Sequence, residues 1–381
     1  MKKLILAFAA LSFVLTSCSN NENDITSEQS KIDMSDFYVY TNADVDETSK
    51  LTATKSPLKS CYTMVNLNRL LKENPGLEKK MYDIEYFTRQ FIASKKPTGT
   101  PGGGPGGGTT DPPADTDTDG DGIYDIYDDC PTISGLSEYN GCPAPYANEI
   151  IIPVVINIIE KYDGQVTQEQ IDSQIAILNE DFNNLNSRTV NTPLEFSTSV
   201  ANFDITFTQS SVKRTISNKK SWGTRDAMKF SSQGGIDATD PSTYLNIWVC
   251  EIGRGILGYA QFPGGPEATD GVVIGPNYFG ETGGNYGHGR TATHEIGHWL
   301  NLRHIWGDGG CSYDDFVTDT PTSDGPNYGC PEETINCGTV DMTMNYMDYV
   351  YDDCMYMFTH GQNDRSRSLF TSGGYRYSFV D

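Results

Sequence analysis

The strongest hydrophobic pattern in the chain is an aliphatic run at 150–159, Ile-Ile-Ile-Pro-Val-Val-Ile-Asn-Ile-Ile, which predicts a buried strand. A helix is predicted directly after it, because Thr167 and Gln170 match a capping box. Val166 and Ile171 are spaced as the hydrophobic staple that accompanies such a cap. The apolar face of this helix carries four residues at helical spacing: Ile171, Ile175, Leu178 and Phe182.

Two further apolar runs, at 203–208 and 244–252, predict additional strands. A β-α-β-β order that is followed by another helix predicts an α/β sandwich. We therefore assign residues 146–381 to one main globular domain, in which the sequence shows no internal repeat.

The region ahead of this domain has a weaker pattern. Seven apolar residues predict a helical segment that is interrupted at Pro75-Gly76: Leu67, Leu70, Leu71, Leu77, Met81, Ile84 and Phe87. Residues 19–95 are thus predicted to be a polar tether and then a helical pro-segment, too small to be stable alone. Residues 96–114, with Pro-Gly-Gly-Gly-Pro-Gly-Gly-Gly at 101–108, cannot bury enough surface to fold and form a linker.

Residues 1–18 have the organisation of a bacterial export signal. Lys2 and Lys3 precede an apolar stretch at 4–15, which is too short to span a membrane as a helix. The sequence Leu-Thr-Ser-Cys at 15–18 resembles the lipobox of bacterial lipoproteins, in which the cysteine is lipidated. We therefore expect an outer-membrane or cell-surface lipoprotein held at the membrane only through lipid on Cys18. The alternative is an ordinary secretory signal with an incidental cysteine.

The composition narrows the possible partners. The formal net charge of −24 argues against nucleic acid, because phosphates would be repelled. It fits calcium binding and a solvated extracellular surface. The chain has nine cysteines, and those other than Cys18 are free to pair in an exported protein.

An acidic module punctuated by glycine occupies residues 115–145. Five of its residues match positions 1, 3, 5, 6 and 12 of an EF-hand-like calcium loop: Asp117, Asp119, Asp121, Gly122 and Asp128. Together with Ile123, Cys130 and Cys142, they resemble a thrombospondin type 3 repeat. That resemblance implies calcium binding, with Ile123 among the ligands, and a Cys130–Cys142 disulfide. The alternative is a disordered acidic linker without metal.

The most specific chemical signal is His-Glu-Ile-Gly-His at 294–298. On a helix His294 and His298 share one face, so both imidazoles can bind one zinc ion. Glu295 lies at the side of that face and can take a proton from a water that the ion activates. His304 is the third expected ligand, provided that the chain turns sharply at Asn301, where asparagine tolerates φ > 0 better than other non-glycine residues.

The segment 294–308, His-Glu-Ile-Gly-His-Trp-Leu-Asn-Leu-Arg-His-Ile-Trp-Gly-Asp, resembles metzincins of the pappalysin family, in their cytophagalysin-like bacterial branch. The resemblance extends over residues 150–365. It implies an α/β (α+β) fold with a twisted mixed sheet, backing and active-site helices above it and a loop-rich lower subdomain. It also implies a monomeric zinc endopeptidase that acts on extracellular proteins or peptides.

The same resemblance assigns further residues of the site. In Asn-Tyr-Met-Asp-Tyr at 345–349, Met347 becomes the Met-turn residue below the zinc. Tyr349 becomes a switch tyrosine that stabilises the oxyanion, although a packed aromatic is the alternative. Residues 255–263 become the edge strand to which substrate adds as an antiparallel strand. Asp353 would give a preference for arginine in P1′, unless it is only a solvated surface residue.

Disulfides and a second calcium site are implied in the same way. The family pattern pairs Cys311 with Cys337 and Cys330 with Cys354, which would brace loops with little regular structure. Four residues would form a structural calcium site, unless they are only acidic loop residues in water: Asp315, Val317 through its carbonyl, Asp319 and Thr320. One catalytic zinc and one or more structural calcium ions are therefore expected.

Cys61 precedes the linker in Lys-Ser-Cys-Tyr-Thr-Met at 59–64, which resembles the pro-segments of bacterial pappalysin relatives. The resemblance implies a cysteine switch, in which the Cys61 thiolate occupies the open zinc position of a latent precursor. Pairing of Cys61 with Cys250, or a free thiol, is the alternative. Cleavage in the linker would then activate the enzyme and release it from its anchor.

A different class of function also remains open, namely a calcium-binding surface adhesin with an inactive protease fold. Loss of Glu295 would indicate such a protein, but Glu295 is present. Another zinc hydrolase, such as a deaminase, would require cysteine ligands that the motif lacks.

Overall fold

The computed structural model describes residues 32–39, 60–94, 116–125, 149–253 and 255–380. The predicted signal peptide with Cys18, the linker at 96–114 and the residues Asp128, Cys130 and Cys142 lie outside these ranges. Within them, no helix combines the length and the hydropathy that a transmembrane span needs.

A six-stranded mixed sheet forms the centre of the main domain. Its spatial order is β1-β5-β6-β4-β2-β3, and every neighbouring pair is parallel except β5 with β6. In chain order the strands are β1 (Ser60–Cys61), β2 (Ile150–Glu160), β3 (Ile205–Ile216), β4 (Leu245–Cys250), β5 (Ile256–Ala260) and β6 (Val272–Ile274).

Strand β2 is aliphatic along almost its whole length because both faces of the sheet are covered. Ile156 faces the main apolar cluster, which also contains residues of the helices. Ile159 faces a second cluster on the other side, together with Trp248 and Tyr259. The predicted buried strand at 150–159 is thus confirmed.

Five helices are described: α1 (Thr63–Glu73), α2 (Leu77–Ser94), α3 (Gln168–Phe182), α4 (Arg290–Trp299) and α5 (His360–Ser368). Four two-residue strands form small ladders: β7 (Tyr328–Gly329) with β10 (Tyr349–Val350), and β8 (Ile335–Asn336) with β9 (Thr339–Val340). Short 3-10 turns lie at Ser187–Asn191, Leu194–Phe196, Ala227–Lys229, Ser231–Gln233, Glu267–Thr269, Pro276–Tyr278, Asp352–Cys354 and Tyr377–Phe379.

The start of α3 follows the predicted capping box. The Thr167 hydroxyl accepts from the backbone N–H of Gln170 at 3.3 Å, and the Gln170 side chain accepts from the Thr167 N–H at 3.1 Å. Val166 and Ile171 are both buried in the main cluster. Local sequence therefore fixes where this helix begins, and α3 packs against β3 and α4.

Helices α1 and α2 are separated at Asn74-Pro75-Gly76, as the apolar pattern predicts. They pack on the main domain, where Leu67 and Leu77 share a small apolar cluster with Phe262. Val39 is buried in that cluster as well. The prediction of a polar tether from residue 19 onwards is therefore wrong for Met34–Val39, because aromatic and aliphatic side chains in this short stretch find apolar partners on the folded chain.

Two disulfides brace the loops between α4 and α5. Cys311 bonds to Cys337 and Cys330 bonds to Cys354, which confirms the predicted pairing. Cys61 and Cys250 are both unpaired, so the alternative in which they form a disulfide is wrong.

Candidate active site

Helix α4 carries the first two predicted zinc ligands, and all of its residues are buried. His294 and His298 lie one turn apart, with ring centroids separated by 4.8 Å. Leu302 N–H donates back to Gly297 O at 2.9 Å, which ends the helix with a sharp turn. Asn301 adopts φ of +71° at this turn, so asparagine fills the left-handed position, and the reversal brings His304 beside the other two histidines.

Each imidazole is oriented by a hydrogen bond at Nδ1. His294 Nδ1 lies 2.8 Å from the carbonyl oxygen of Tyr346, and His298 Nδ1 lies 2.8 Å from that of Leu302. His304 Nδ1 is 2.5 Å from a carboxylate oxygen of Asp308. The Nε2 atoms are therefore left to face one another, and those of His298 and His304 are 3.1 Å apart.

This arrangement fits a zinc ion. Among the described residues, the buried Nε2 of His294 has no hydrogen-bond partner. Burial lowers the pKa of His294 to about 3, so the ring is neutral, as a zinc ligand must be. Cys61 Sγ joins the group, since one ligand atom each from Cys61, His294, His298 and His304 all lie within 4.8 Å of one another. Three nitrogens and one sulfur are a ligand set that zinc prefers.

Glu295 is fully buried between α4 and the segment that carries Cys61 and Thr63. Its Oε2 accepts from the Thr63 hydroxyl at 2.7 Å and from the Cys61 thiol at 3.3 Å. Burial raises the pKa of Glu295 to about 7. A carboxyl group with that pKa can both accept and donate a proton near neutral pH. Thr63 was not identified from the sequence, because its contact with Glu295 joins residues that are 232 positions apart.

Met347 lies directly below the histidine helix and is fully buried. A Cβ built at Gly297 would be 2.4 Å from Met347 Sδ, so only glycine at this point of the helix allows the contact. Gly297 is one of the two variable positions of the histidine motif, so the motif alone does not reveal that glycine is required there. Trp306 was missed as well; its ring stacks on His304 with a centroid distance of 4.3 Å.

The hydroxyl of Tyr349 points to the histidine cluster. It lies 3.2 Å from His304 Nε2 and 3.4 Å from the carbonyl oxygen of Cys61, to which it donates. Tyr349 is buried, and its ring contacts those of His294 and His304. A polar hydroxyl at the ligand atoms supports a role in the chemistry over that of a merely packed aromatic.

Asp181 on α3 also supports the site and was not identified from the sequence. Its carboxylate accepts from the hydroxyls of Tyr346 at 2.6 Å and Thr293 at 2.7 Å, and it contacts Arg290 at 3.2 Å. Tyr346 in turn holds His294 through its carbonyl oxygen. The one feature of the sequence that could have indicated this role is the position of the Asp181 carboxylate beside Phe182, on the buried face of the predicted helix.

A cavity adjoins the base and the histidines. Asp352 lines it and is buried, whereas Asp353 is absent from its lining. The Asp353 side chain is 53% exposed and pairs with Arg188 at 2.5 Å. The structure therefore places Asp352, and not the expected Asp353, at the cavity, because the short turn at Asp352–Cys354 directs Asp352 inward. Other lining residues are Leu257, Tyr286, Thr291, Val350 and Met355.

The structure groups three of the four expected calcium ligands of the main domain. The Thr320 hydroxyl donates to the Asp315 carboxylate at 2.8 Å and also lies 2.8 Å from the Val317 carbonyl oxygen. Asp319 instead accepts from the Thr359 hydroxyl and the Gly361 N–H at the start of α5, at 2.7 and 3.0 Å.

In the acidic module, carboxylate oxygens of Asp117, Asp119 and Asp121 lie within 4.8 Å of one another. Gly122 has φ of +93°, as the sharp turn of such a loop requires. The backbone carbonyl of Ile123 belongs to the same described stretch, and Asp128 lies beyond it.

The family model described as pregnancy-associated plasma protein-A matches residues 231–371. Extracellular metalloprotease 1 of Coccidioides posadasii is 35% identical over 240 residues, which cover 60% of this chain and 78% of that protein. An extracellular metalloprotease of Arthroderma benhamiae is 32% identical over 252 residues, which cover 61% of this chain and 77% of that protein.

Two solved structures from Tannerella forsythia are similar to part of this chain. Mature mirolysin in complex with a cleaved peptide shares 43% identity, covers 61% of this chain and 96% of its own, and superposes with a TM-score of 0.59. A promirolysin mutant shares 43% identity over 61% of this chain and 84% of its own, also with a TM-score of 0.59.

Proposed function

Since this chain belongs to the pappalysin family of metzincin zinc metalloproteases, we propose that it is an endopeptidase of extracellular proteins that is made as a latent precursor. The observation that carries the proposal is the position of Cys61 Sγ beside the three histidines and the base. A thiol at this position blocks the place that a substrate carbonyl would need. The peptide complex of mirolysin and the existence of a promirolysin support both parts of the proposal.

In the proposed mechanism, zinc held by His294, His298 and His304 would polarise the scissile carbonyl and lower the pKa of a water. Glu295 accepts the proton of the attacking water and then donates it to the leaving amine. The Tyr349 hydroxyl donates a hydrogen bond to the oxyanion that forms during attack.

Latency is proposed to rest on strand replacement as well as on Cys61. Strand β1 pairs with β5, with Ser60 opposite Ile256 and Cys61 opposite Gly258. The pair is parallel, whereas a substrate is expected to add in the antiparallel direction. The pro-segment thus fills the substrate position while its own peptide bonds run in the opposite direction.

The thiol also depends on the metal. Desolvation and the nearby Glu295 carboxylate raise the pKa of the Cys61 thiol, so its thiolate requires the positive charge of a bound zinc ion. This dependence couples latency to metal loading. Cleavage in the linker at 96–114 is proposed to begin activation and, where Cys18 is lipidated, to free the catalytic domain from the membrane.

A preference for a basic residue in P1′ is proposed from the cavity. Asp352 lines the cavity and accepts from the N–H groups of His288 and Arg290 at 2.9 and 3.3 Å. Burial raises the pKa of Asp352 to about 6, which leaves it largely ionised at neutral pH. An ionised carboxylate in a narrow cavity favours a guanidinium.

We also propose that calcium ions bind and stabilise two parts of the chain. One site comprises Asp315, Val317, Asp319 and Thr320, and the other lies in the acidic module.

Substitution of the switch cysteine tests the latency. The full-length chain with Cys61→Ala should cleave itself early and hydrolyse casein without prior activation, while the wild-type precursor stays intact. Cys250→Ala is the matched control, because Cys250 is the other unpaired cysteine among the described residues and lies buried in β4. A Cys61→Ala precursor that stays as intact and inactive as the wild type would contradict the proposal.

A further inference from the structure

The side chain of Tyr38 is seated in a pocket on the loop that follows the third histidine. Its hydroxyl donates towards the carbonyl oxygens of Gly307 and Asp314, and each distance is 2.6 Å. A Cβ built at Gly307 would lie 2.8 Å from that hydroxyl, and Gly307 has φ of +59°. The pocket therefore accepts a phenol because residue 307 is glycine.

The walls of the pocket are aromatic and cationic. The Tyr38 ring lies edge-on to Phe316 and Tyr313, at centroid distances of 5.1 and 5.2 Å. The Phe37 ring stacks on that of Phe316 at a centroid distance of 6.0 Å, and the Arg303 guanidinium lies 4.5 Å above the Tyr38 ring. Phe316 has φ of +65°, a strained conformation for a bulky residue that points to a functional surface.

The guanidinium of Arg303 has more hydrogen-bond donors than the segment around Tyr38 accepts from. The residue is 4% exposed, and its Nη2 donates to the carbonyl oxygens of Tyr38 and Val39. Its Nη1 is buried and has no hydrogen-bond partner within the described ranges. Leaving a buried guanidinium nitrogen unpaired is unfavourable, so Arg303 keeps an unused hydrogen-bond donor.

These contacts use only an aromatic pair and the peptide backbone, which many polypeptides can supply. We propose that the pocket is a peptide-binding exosite, separate from the catalytic cleft, that captures substrate segments with a Phe-Tyr pair. The exosite consists of five residues: Arg303, Gly307, Tyr313, Asp314 and Phe316. It rests on the proposed function, because removal of the pro-segment would vacate it for substrate. Capture of one segment raises the local concentration of the rest of the substrate at the cleft.

Binding is tested on the full-length chain carrying Phe37→Ala and Tyr38→Ala, which empties the exosite without proteolysis. A fluorescent peptide with the sequence of residues 32–39 should bind this chain saturably in an anisotropy titration, and the wild-type chain at least about tenfold more weakly, since its own segment competes. The peptide with Tyr38→Phe should bind about tenfold more weakly, because it lacks the hydroxyl that two carbonyls accept from. No saturable binding, or equal binding of both peptides, would overturn the exosite.

A third substitution distinguishes loss of peptide binding from loss of folding. Phe316→Gly, added to the emptied chain, removes the ring and suits the backbone conformation at φ of +65°. It should abolish peptide binding while the thermal unfolding transition remains cooperative. Peptide binding that is unaffected by Phe316→Gly would show that the peptide binds elsewhere and would refute the assignment.

Recruitment is tested with the activated enzyme and two protein substrates that differ only in a Phe-Tyr segment beside the cleavage site. The segment should lower KM about tenfold at constant kcat, and the free peptide should reverse that effect. Equal KM values despite peptide binding would refute substrate capture. Absence of cleavage of both substrates would count against the proposed protease, whereas the anisotropy result would still decide the exosite.

Discussion

Thr63 provides the sharpest test of the proposed inhibition of the base by the segment that carries Cys61. The residue is fully buried, donates to Glu295 Oε2 at 2.7 Å and accepts from the Ala260 N–H at 2.7 Å. Thr63→Val keeps the shape and removes both hydrogen bonds. The bond to the carboxylate is worth about 1.5–3 kcal/mol and the bond from the amide about 0.5–1.5 kcal/mol. Docking of the pro-segment should therefore weaken by about 3 kcal/mol, and its open fraction should rise roughly a hundredfold.

The assay is the rate at which a thiol reagent modifies Cys61 in the full-length precursor, with the label located by peptide mapping. Modification requires opening of the pro-segment, so its rate should follow the open fraction. Thr63→Ser is the matched control, because it keeps the hydroxyl and should react about as slowly as the wild type. An unchanged rate for Thr63→Val, or equal acceleration by valine and serine, would refute the role of this hydroxyl.

Three further predictions concern the pro-segment, the cavity and the metal centre. Burial raises the pKa of Glu85, but the Arg365 guanidinium outweighs this effect and holds the pKa at about 2. The stabilisation that the Glu85–Arg365 ion pair gives to pro-segment docking is therefore complete above about pH 4.5, the ordinary glutamate range, and is lost as the pH falls towards 2. Acid should open the precursor in that window and expose Cys61 to the thiol reagent, and Glu85→Gln should flatten this pH dependence, whereas an unchanged pH profile would exclude a role for the ion pair. Asp352→Asn should reduce cleavage before arginine about tenfold or more in a mapped peptide library, with Asp353→Asn as the near-neutral control, and the reverse result would return the specificity role to Asp353. Gly297→Ala places a methyl group against a buried methionine and should cost about 1–3 kcal/mol and lower zinc occupancy; an unchanged melting temperature and zinc content would contradict the packing argument.

The parts of the fold that depend on neighbouring residues can be predicted from local features of the sequence. The pair Thr167 and Gln170 set the start of α3, and Asn301 supplied the left-handed turn that brings His304 to the other ligands. In each case the hydrogen bonds or the backbone conformation involve residues only a few positions apart. The two disulfides at 311–354 were anticipated through the family resemblance, not from spacing alone.

Contacts between distant segments were beyond sequence reasoning. Nothing near Thr63 reveals that its hydroxyl meets Glu295, and nothing near Tyr38 reveals a pocket at Gly307. The stretch around residue 38 lacks helical or strand periodicity, so it was assigned to a tether. The sequence does not indicate whether Asp352 or Asp353 faces the cavity, because the answer depends on the direction of the short turn that contains both residues.

The central claim is that the histidine cluster holds a catalytic zinc and that Glu295 is the base. The most direct measurement compares the full-length chain and its Glu295→Ala variant after the same cleavage of the linker by an added protease, which is then removed. Zinc content and hydrolysis of denatured casein are determined on each preparation. The account predicts about one zinc ion in both proteins, since three histidine ligands remain, and hydrolysis by the wild type alone. Equal hydrolysis by both proteins, or a wild-type protein without zinc that still cleaves casein, would contradict it.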